Sequence, residues 1–269
     1  MEIIGYAASI LIGISLGLIG SGGSILTVPV LVYLMSIHPL LATTSSLFIV
    51  GTTSLIGGLR AYSRNFVDVK AVTEFGIPSI FSIFITRHYI LPALPDVLFT
   101  IGNEKVSKDM FLMIVFAILM LAASISMIRN ARPVVLEVET IEEKTPGIRA
   151  LPLLLLGLLV GIVTGLLGAG GGFLIIPSLV LFLRLPMKTA VGTSLLIIGI
   201  NSLLGFLFSL KQFEYNWTIL LGFTALSIAG IFIGSKLSER IPGATLKRTF
   251  GWFVLAMGCW IIIYELLLK

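Results

Sequence analysis

Polar and apolar residues along this chain are sorted into long blocks. The stretches 110–128, 151–167, 190–210 and 250–264 contain no Asp, Glu, Lys or Arg. Each is near or above the length a helix needs to cross a hydrocarbon core, about 20 residues. The pattern predicts two sets of five apolar segments. The first set runs over 3–19, 24–35, 40–59, 69–90 and 110–128, and the second over 151–167, 172–183, 190–210, 215–234 and 249–268. The second segment of each set is short and follows a cluster of glycines. It is either a re-entrant piece or a full crossing. Between the sets, Glu137, Glu139, Glu142, Glu143 and Pro146 mark a solvated linker. The chain thus divides into a first transmembrane repeat (1–131), a hydrophilic cytoplasmic linker (132–150) and a second transmembrane repeat (151–269). Extra residues near 91–108 have no counterpart in the second half.

The two sets are copies of one another. Shifted by 148 residues, 13–58 and 161–206 are identical at 19 of 46 positions without a gap. Shared leucines follow from shared composition. Gly17/Gly165, Gly20/Gly168, Gly22/Gly170, Gly23/Gly171, Pro29/Pro177, Ser46/Ser194 and Gly51/Gly199 do not. Five segments is an odd number, so the second copy must enter the membrane from the opposite face. The expected fold is an all-α polytopic membrane protein of two inverted repeats, with glycine-broken short helices at its centre.

Composition and charge agree with that class. Of 269 residues, 57% are hydrophobic and 12% charged; a soluble domain carries about twice that charged share. The mean hydropathy is +1.10. Net charge is +5, yet nucleic acid is not implied, because Lys and Arg fall in the short loops. Thirteen of the 18 Lys and Arg fall on one face and five, including Arg87, on the other. The positive-inside rule puts the thirteen in the cytoplasm and both termini outside. Cys259 is the single cysteine, so an intramolecular disulfide is excluded; its apolar surroundings predict a buried small residue.

The candidate chemistry sits at Gly20-Ser21-Gly22-Gly23-Ser24 and at Gly168-Ala169-Gly170-Gly171-Gly172. Glycine costs about 1 kcal/mol in a helix interior and admits left-handed backbone, so such runs break helices. Broken backbone at membrane depth is tolerated only where it packs in protein or lines a wet cavity. Helices restarting near Ser24 and Gly172 would open with unpaired amides at the positive end of the helix dipole, a ready anion site. The repeat would bring the two ends together near the midplane. The alternative is that these glycines only let helices pack closely; density and repetition favour the break. Gly20, Ser21, Gly22, Gly23, Ser24, Gly168, Gly170, Gly171 and Gly172 are therefore the candidate substrate-binding backbone.

Polar side chains add a second set. Thr43, Thr44, Ser45 and Ser46 match a region holding Thr193 and Ser194, and Thr52, Thr53 and Ser54 match Ile200, Asn201 and Ser202. Hydroxyls in membrane helices usually bond back to their own backbone, whereas an amide in hydrocarbon needs a partner. Ser46, Thr193, Ser194 and Asn201 are the best candidates to line a pathway. Arg184 and Lys188 read as orientation signals. No Asp or Glu is expected deep in a span, with Glu74 and Glu214 near segment ends, so a buried carboxylate relay is not visible. The glycine clusters lack the Lys-Ser/Thr of a phosphate loop. Ser21 has no histidine within a span to act as its base. No catalytic residue, metal ligand or cofactor is expected.

Gly165-Leu-Leu-Gly-Ala-Gly-Gly-Gly-Phe-Leu-Ile-Ile-Pro177 with Leu185-Pro-Met-Lys-Thr-Ala-Val-Gly-Thr-Ser-Leu195 resembles the sulfite exporter TauE/SafE family of membrane transporters. Gly17 to Pro29 with Ala42 to Leu47 is similar to its first-half counterpart. The likeness covers essentially the whole chain; the first cluster departs in reading Gly-Ser-Gly-Gly-Ser. The resemblance implies transport of small sulfur-containing anions such as sulfite, thiosulfate or organosulfonates, in a cell (plasma) membrane. The expected activity is alternating access through a midplane site at two helix N-termini, with the lipid bilayer and a small anion as partners. The alternative is a carrier or channel for another small anion or solute. Exact substrate, direction, coupling ion and oligomeric state are not carried by these motifs.

Overall fold

The computed structural model describes residues 2–20, 22–95, 97–101, 104–129, 146–168, 172, 175–176, 179, 183, 185–238 and 243–265. Among the described residues nine helices carry the fold: α1 Glu2–Ile19, the short α2 Gly22–Pro29, α3 Pro39–Ser63, α4 Val69–Ile85 and α5 Lys108–Arg129 in the first half. The second half gives α6 Pro146–Leu167, α7 Met187–Ser209, α8 Trp217–Ser238 and α9 Gly243–Ile263. α2 and α4 each continue as a π-turn, Val30–Leu34 after α2 and Thr86–Ile90 after α4. The extra residues of the first half form a small hairpin, β1 Val97–Ile101 and β2 Glu104–Ser107, which an all-helical reading did not foresee. The predicted segments otherwise reappear with shifted ends. α6 begins at Pro146 rather than 151, since proline fits the first helical turn. Of the segment predicted over 172–183, only 172, 175–176, 179 and 183 lie within the described residues, as does little of the linker.

The exposed surface is apolar. Leu59, Ile77, Phe81, Ile118, Leu155, Leu159, Leu207, Leu221, Ile233, Trp252, Phe253 and Trp260 each stand half or more exposed. A belt of that extent belongs against lipid. The exposed Cys259 lies on it, which corrects the expectation of a buried cysteine: α9 turns that face outward. α3 and α7 form the centre. In their most apolar windows 67% and 61% of residues are buried, against 39% for both α4 and α8.

The packing repeats under exchange of the halves. α1 lies on α8 and α4 on α6; α3 pairs with α7 and α5 with α9. Glycines make the contacts close, as small residues do in membranes. A Cβ on Gly13 would stand 2.0 Å from the Ser227 carbonyl, and one on Gly161 2.4 Å from the Ser79 carbonyl. Adding 148 to the first partner and subtracting it from the second converts one pair into the other. Gly51 against Leu203 and Gly199 against Leu55 are exchanged likewise, as are Gly57 against Ile231 and Gly205 against Ile83. From Gly51 to Gly58 along α3, the facing residues on α7 fall from Leu203 to Leu196. The equivalent helices α3 and α7 are therefore antiparallel, with Thr53 and Asn201 at mid-height.

Candidate functional site

Both glycine clusters interrupt a helix. Gly20 and Gly168 have φ of +80° and +69°, left-handed backbone that glycine adopts without steric cost. Each closes the preceding helix with an amide bond one turn back, Gly20 N–H to Leu16 and Gly168 N–H to Thr164. α2 then folds back along α1: Gly23 lies against the Ile12 carbonyl, and Gly5 meets Met35 at the end of the return. Ser24 and Gly172 are buried. Gly22 opens α2, while Ser21, Gly170 and Gly171 lie outside the described residues.

The two breaks do not meet. Gly168 packs on Thr43 at the start of α3, and Gly20 on Val191 at the start of α7. In the antiparallel register, Val191 is level with Ser63 at the far end of α3. Twenty residues of helix separate those levels, about 30 Å at 1.5 Å per residue. The expectation of two helix ends facing each other at the midplane is thus corrected. α1 and α6 each run almost the full height of the bundle, unbroken until their last turn. One break lies near each face.

Four of the nine buried polar atoms without partners among the described residues lie at mid-height, between the breaks. Thr53 Oγ1, Ser54 Oγ, Asn201 Oδ1 and Ser202 Oγ are buried and find no hydrogen-bond partner among the described residues. Thr53 and Ser54 are the two-fold equivalents of Asn201 and Ser202. Buried polar atoms are nearly always bonded, so this band departs from the rule where a pathway would cross. Asn201 is half satisfied, its Nδ2 donating to Ser79 Oγ at 2.7 Å.

The other candidate side chains divide. Ser46 Oγ donates to the Gly168 carbonyl at 2.5 Å and lies 2.9 Å from that of Thr43, joining α3 to the second break. Ser194, its equivalent, bonds back to Val191 at 2.9 Å, the residue on which Gly20 packs. Thr193 accepts the Asp68 amide at 2.9 Å and so fastens the loop between α3 and α4.

The sequence reading missed the most unusual group. Arg87 was counted with the loop cations, but it is wholly buried. The π-turn at Thr86–Ile90 adds a residue to the end of α4 and swings it inward. Its Nη1 donates to Thr44 Oγ1 at 2.8 Å; Nε and Nη2 find no acceptor among the described residues. Thr44 follows Thr43, the seat of Gly168, and Thr86 seats Gly165. Arg87 thus stands beside the second break. Tyr215, in the loop before α8, feels its charge: burial pushes that hydroxyl up to about 12, and Arg87 pulls against the rise.

Glu265, just past the end of α9, is a buried acid near a segment end that the sequence did not single out: it is 3% exposed and accepts from the Tyr33 hydroxyl at 3.2 Å. It borders a cavity of about 380 Å³ with Ser36, His38 and Trp260. His38 and Asp109 pair at 2.9 Å nearby.

Known proteins resemble this chain over almost its whole length. A probable membrane transporter protein of Xylella fastidiosa (strain Temecula1) is 29% identical over 260 residues, covering 94% of this chain and 91% of its own. The Bacillus subtilis probable membrane transporter protein YunE is 26% identical over 252 residues, 92% of each chain. A probable membrane transporter protein of Methanocaldococcus jannaschii is 39% identical over a shorter stretch of 114 residues, 39% of this chain and 42% of its own. No solved structure matches the chain. Residues 6–261 match the family described as sulfite exporter TauE/SafE. With a left-handed glycine closing a helix in each half of a bundle of apolar helices, this multi-pass membrane protein belongs to the sulfite exporter TauE/SafE family.

Proposed function

We propose that this chain carries a small sulfur-containing anion, such as sulfite, thiosulfate or an organosulfonate, by alternating access between two inverted repeats. One observation carries the reading: two buried left-handed glycine breaks, exchanged by the two-fold packing, stand at opposite ends of the bundle. Equivalent halves of opposite sense can trade conformations, which opens one end while closing the other. An anion at either end meets the amide terminus of a short helix. Between them it passes the unpartnered polar atoms of Thr53, Ser54, Asn201 and Ser202. Ser46, Ser194, Gly20, Gly22, Gly23, Ser24, Gly168 and Gly172 form the two ends on this reading, with Ser21, Gly170 and Gly171 completing the clusters.

Proteoliposomes loaded with unlabelled thiosulfate should accumulate labelled thiosulfate by counterflow, and sulfite and methanesulfonate should compete. Flux that neither saturates nor shows counterflow would make the protein a channel instead. Saturable uptake of a neutral solute, with no anion competition, would leave the carrier and remove the cargo.

Two further outcomes are expected. Ser46→Ala should weaken anion affinity several-fold while the melting temperature barely moves, since a hydrogen bond between membrane helices contributes about 0.6 kcal/mol. Calorimetric titration beside a melting curve separates the two effects. With Arg87 buried, four cations remain on the side opposite the thirteen, which sharpens the charge asymmetry. The sparse side should face outward, in a plasma membrane, with both termini. In a Cys259→Ser background, Glu104→Cys should then react with an impermeant maleimide on intact cells, and Asn65→Cys only after permeabilisation. The reverse pattern would invert the topology.

A further inference from the structure

We propose that the Nε–Nη2 edge of Arg87, without a partner among the described residues, is an oxyanion-binding fork, the outer subsite of the pathway. This rests on the carrier reading above and names the residue that selects charge and shape at one of its ends.

Three observations converge. Arg87 has no exposure at all, and a buried guanidinium is costly unless paired. No carboxylate among the described residues pairs with it; the hydroxyl of Thr44 is its acceptor, at 2.8 Å on Nη1. The donors left over, Nε and Nη2, are the two on one side of the guanidinium plane. Parallel N–H groups on such an edge match two oxygens of a carboxylate, sulfonate or sulfite, and a single-atom halide cannot use both. The location supplies the third point. Thr44 on α3 adjoins Thr43, which seats Gly168, and Thr86, next to Arg87, itself seats Gly165. Arg87 therefore lies beside the second glycine break, about 12 Å of helix from the mid-height Ser79.

The repeat makes the site one-sided. The position equivalent to Arg87 in the second half is Ser235, beside Gly17. Among the described residues, one end of the pathway therefore holds a buried arginine and the equivalent position at the other end holds a serine. An anion released toward the Gly20 end leaves no full charge behind it.

The test uses the full-length protein in detergent, with methanesulfonate, thiosulfate and chloride as probes. Arg87→Met removes an unpaired buried charge, so it should raise the melting temperature of the anion-free protein and abolish the rise that methanesulfonate gives the wild type. Arg87→Lys keeps the charge and loses the fork; it should bind methanesulfonate at least about tenfold more weakly and lose its preference for methanesulfonate over chloride. An arginine with a structural duty predicts the opposite, a lowered melting temperature in Arg87→Met with unchanged binding. If Arg87→Met does not fold, Arg87→Lys decides: an unchanged dissociation constant and unchanged preference overturn the fork. Wild-type protein that binds oxyanions while Arg87→Lys is unaffected removes the fork alone. Wild-type protein that binds none removes the carrier reading and the fork with it.

Discussion

Gly168→Ala is expected to abolish transport and to lower the melting temperature of the purified protein. Gly168 holds φ at +69°, where a residue with a Cβ is disfavoured by about 1 to 2 kcal/mol. The added methyl would also stand 2.0 Å from the Thr43 carbonyl, a backbone atom that cannot swing aside. Overpacking of that kind costs about 1 to 3 kcal/mol. Relaxation has to move α3 away from the break and pulls Ser46 off the Gly168 carbonyl. Gly20→Ala should do less harm: φ is again left-handed at +80°, but the near atom, at 2.7 Å, is a methyl of the Val191 side chain. The ordering tests the geometry. Transport and melting temperature at wild-type values in Gly168→Ala would mean that the chain runs through this point differently.

The second large effect concerns the interfaces between halves. Gly13→Val and Gly161→Val should each destabilise by about 1 to 3 kcal/mol or more, and by similar amounts. Their side chains would strike the carbonyls of Ser227 and Ser79, contacts that exchange under the two-fold. Gly76 is the control. A Cβ there meets nothing within 4 Å, so Gly76→Ala should be neutral or gain the propensity difference of about 1 kcal/mol. Thermal unfolding of the three variants checks this, and a large loss in one of Gly13→Val and Gly161→Val with none in the other would break the equivalence.

Helices and breaks were legible because hydrocarbon imposes simple rules. A span must be long and apolar, and a cluster such as Gly20-Ser21-Gly22-Gly23 cannot continue one. The repeat was legible because glycines and serines kept their register. The height of the breaks was not. It depends on where α1 and α6 stop relative to α3 and α7, which only the contacts of Gly20 with Val191 and Gly168 with Thr43 reveal. Arg87 was misread for a related reason. A cation near the end of an apolar run looks like a loop anchor, and nothing in Thr86-Arg87-His88 announces the π-turn that buries it. Glu265 escaped likewise, being four residues from the chain end and enclosed only when Tyr33 folds against it. Thr193 was legible as a polar residue in a helix, but its partner, the amide of Asp68, is 125 residues away in sequence.

The account stands on the claim that this bundle attracts negative charge to interrupted backbone inside it. Calorimetric titration of the purified protein with methanesulfonate and with dimethyl sulfone separates charge from shape, since the two molecules are nearly isosteric. Saturable binding of methanesulfonate, competed by thiosulfate and absent for the sulfone, is the predicted result. Equal binding of both compounds, or of neither, would contradict it.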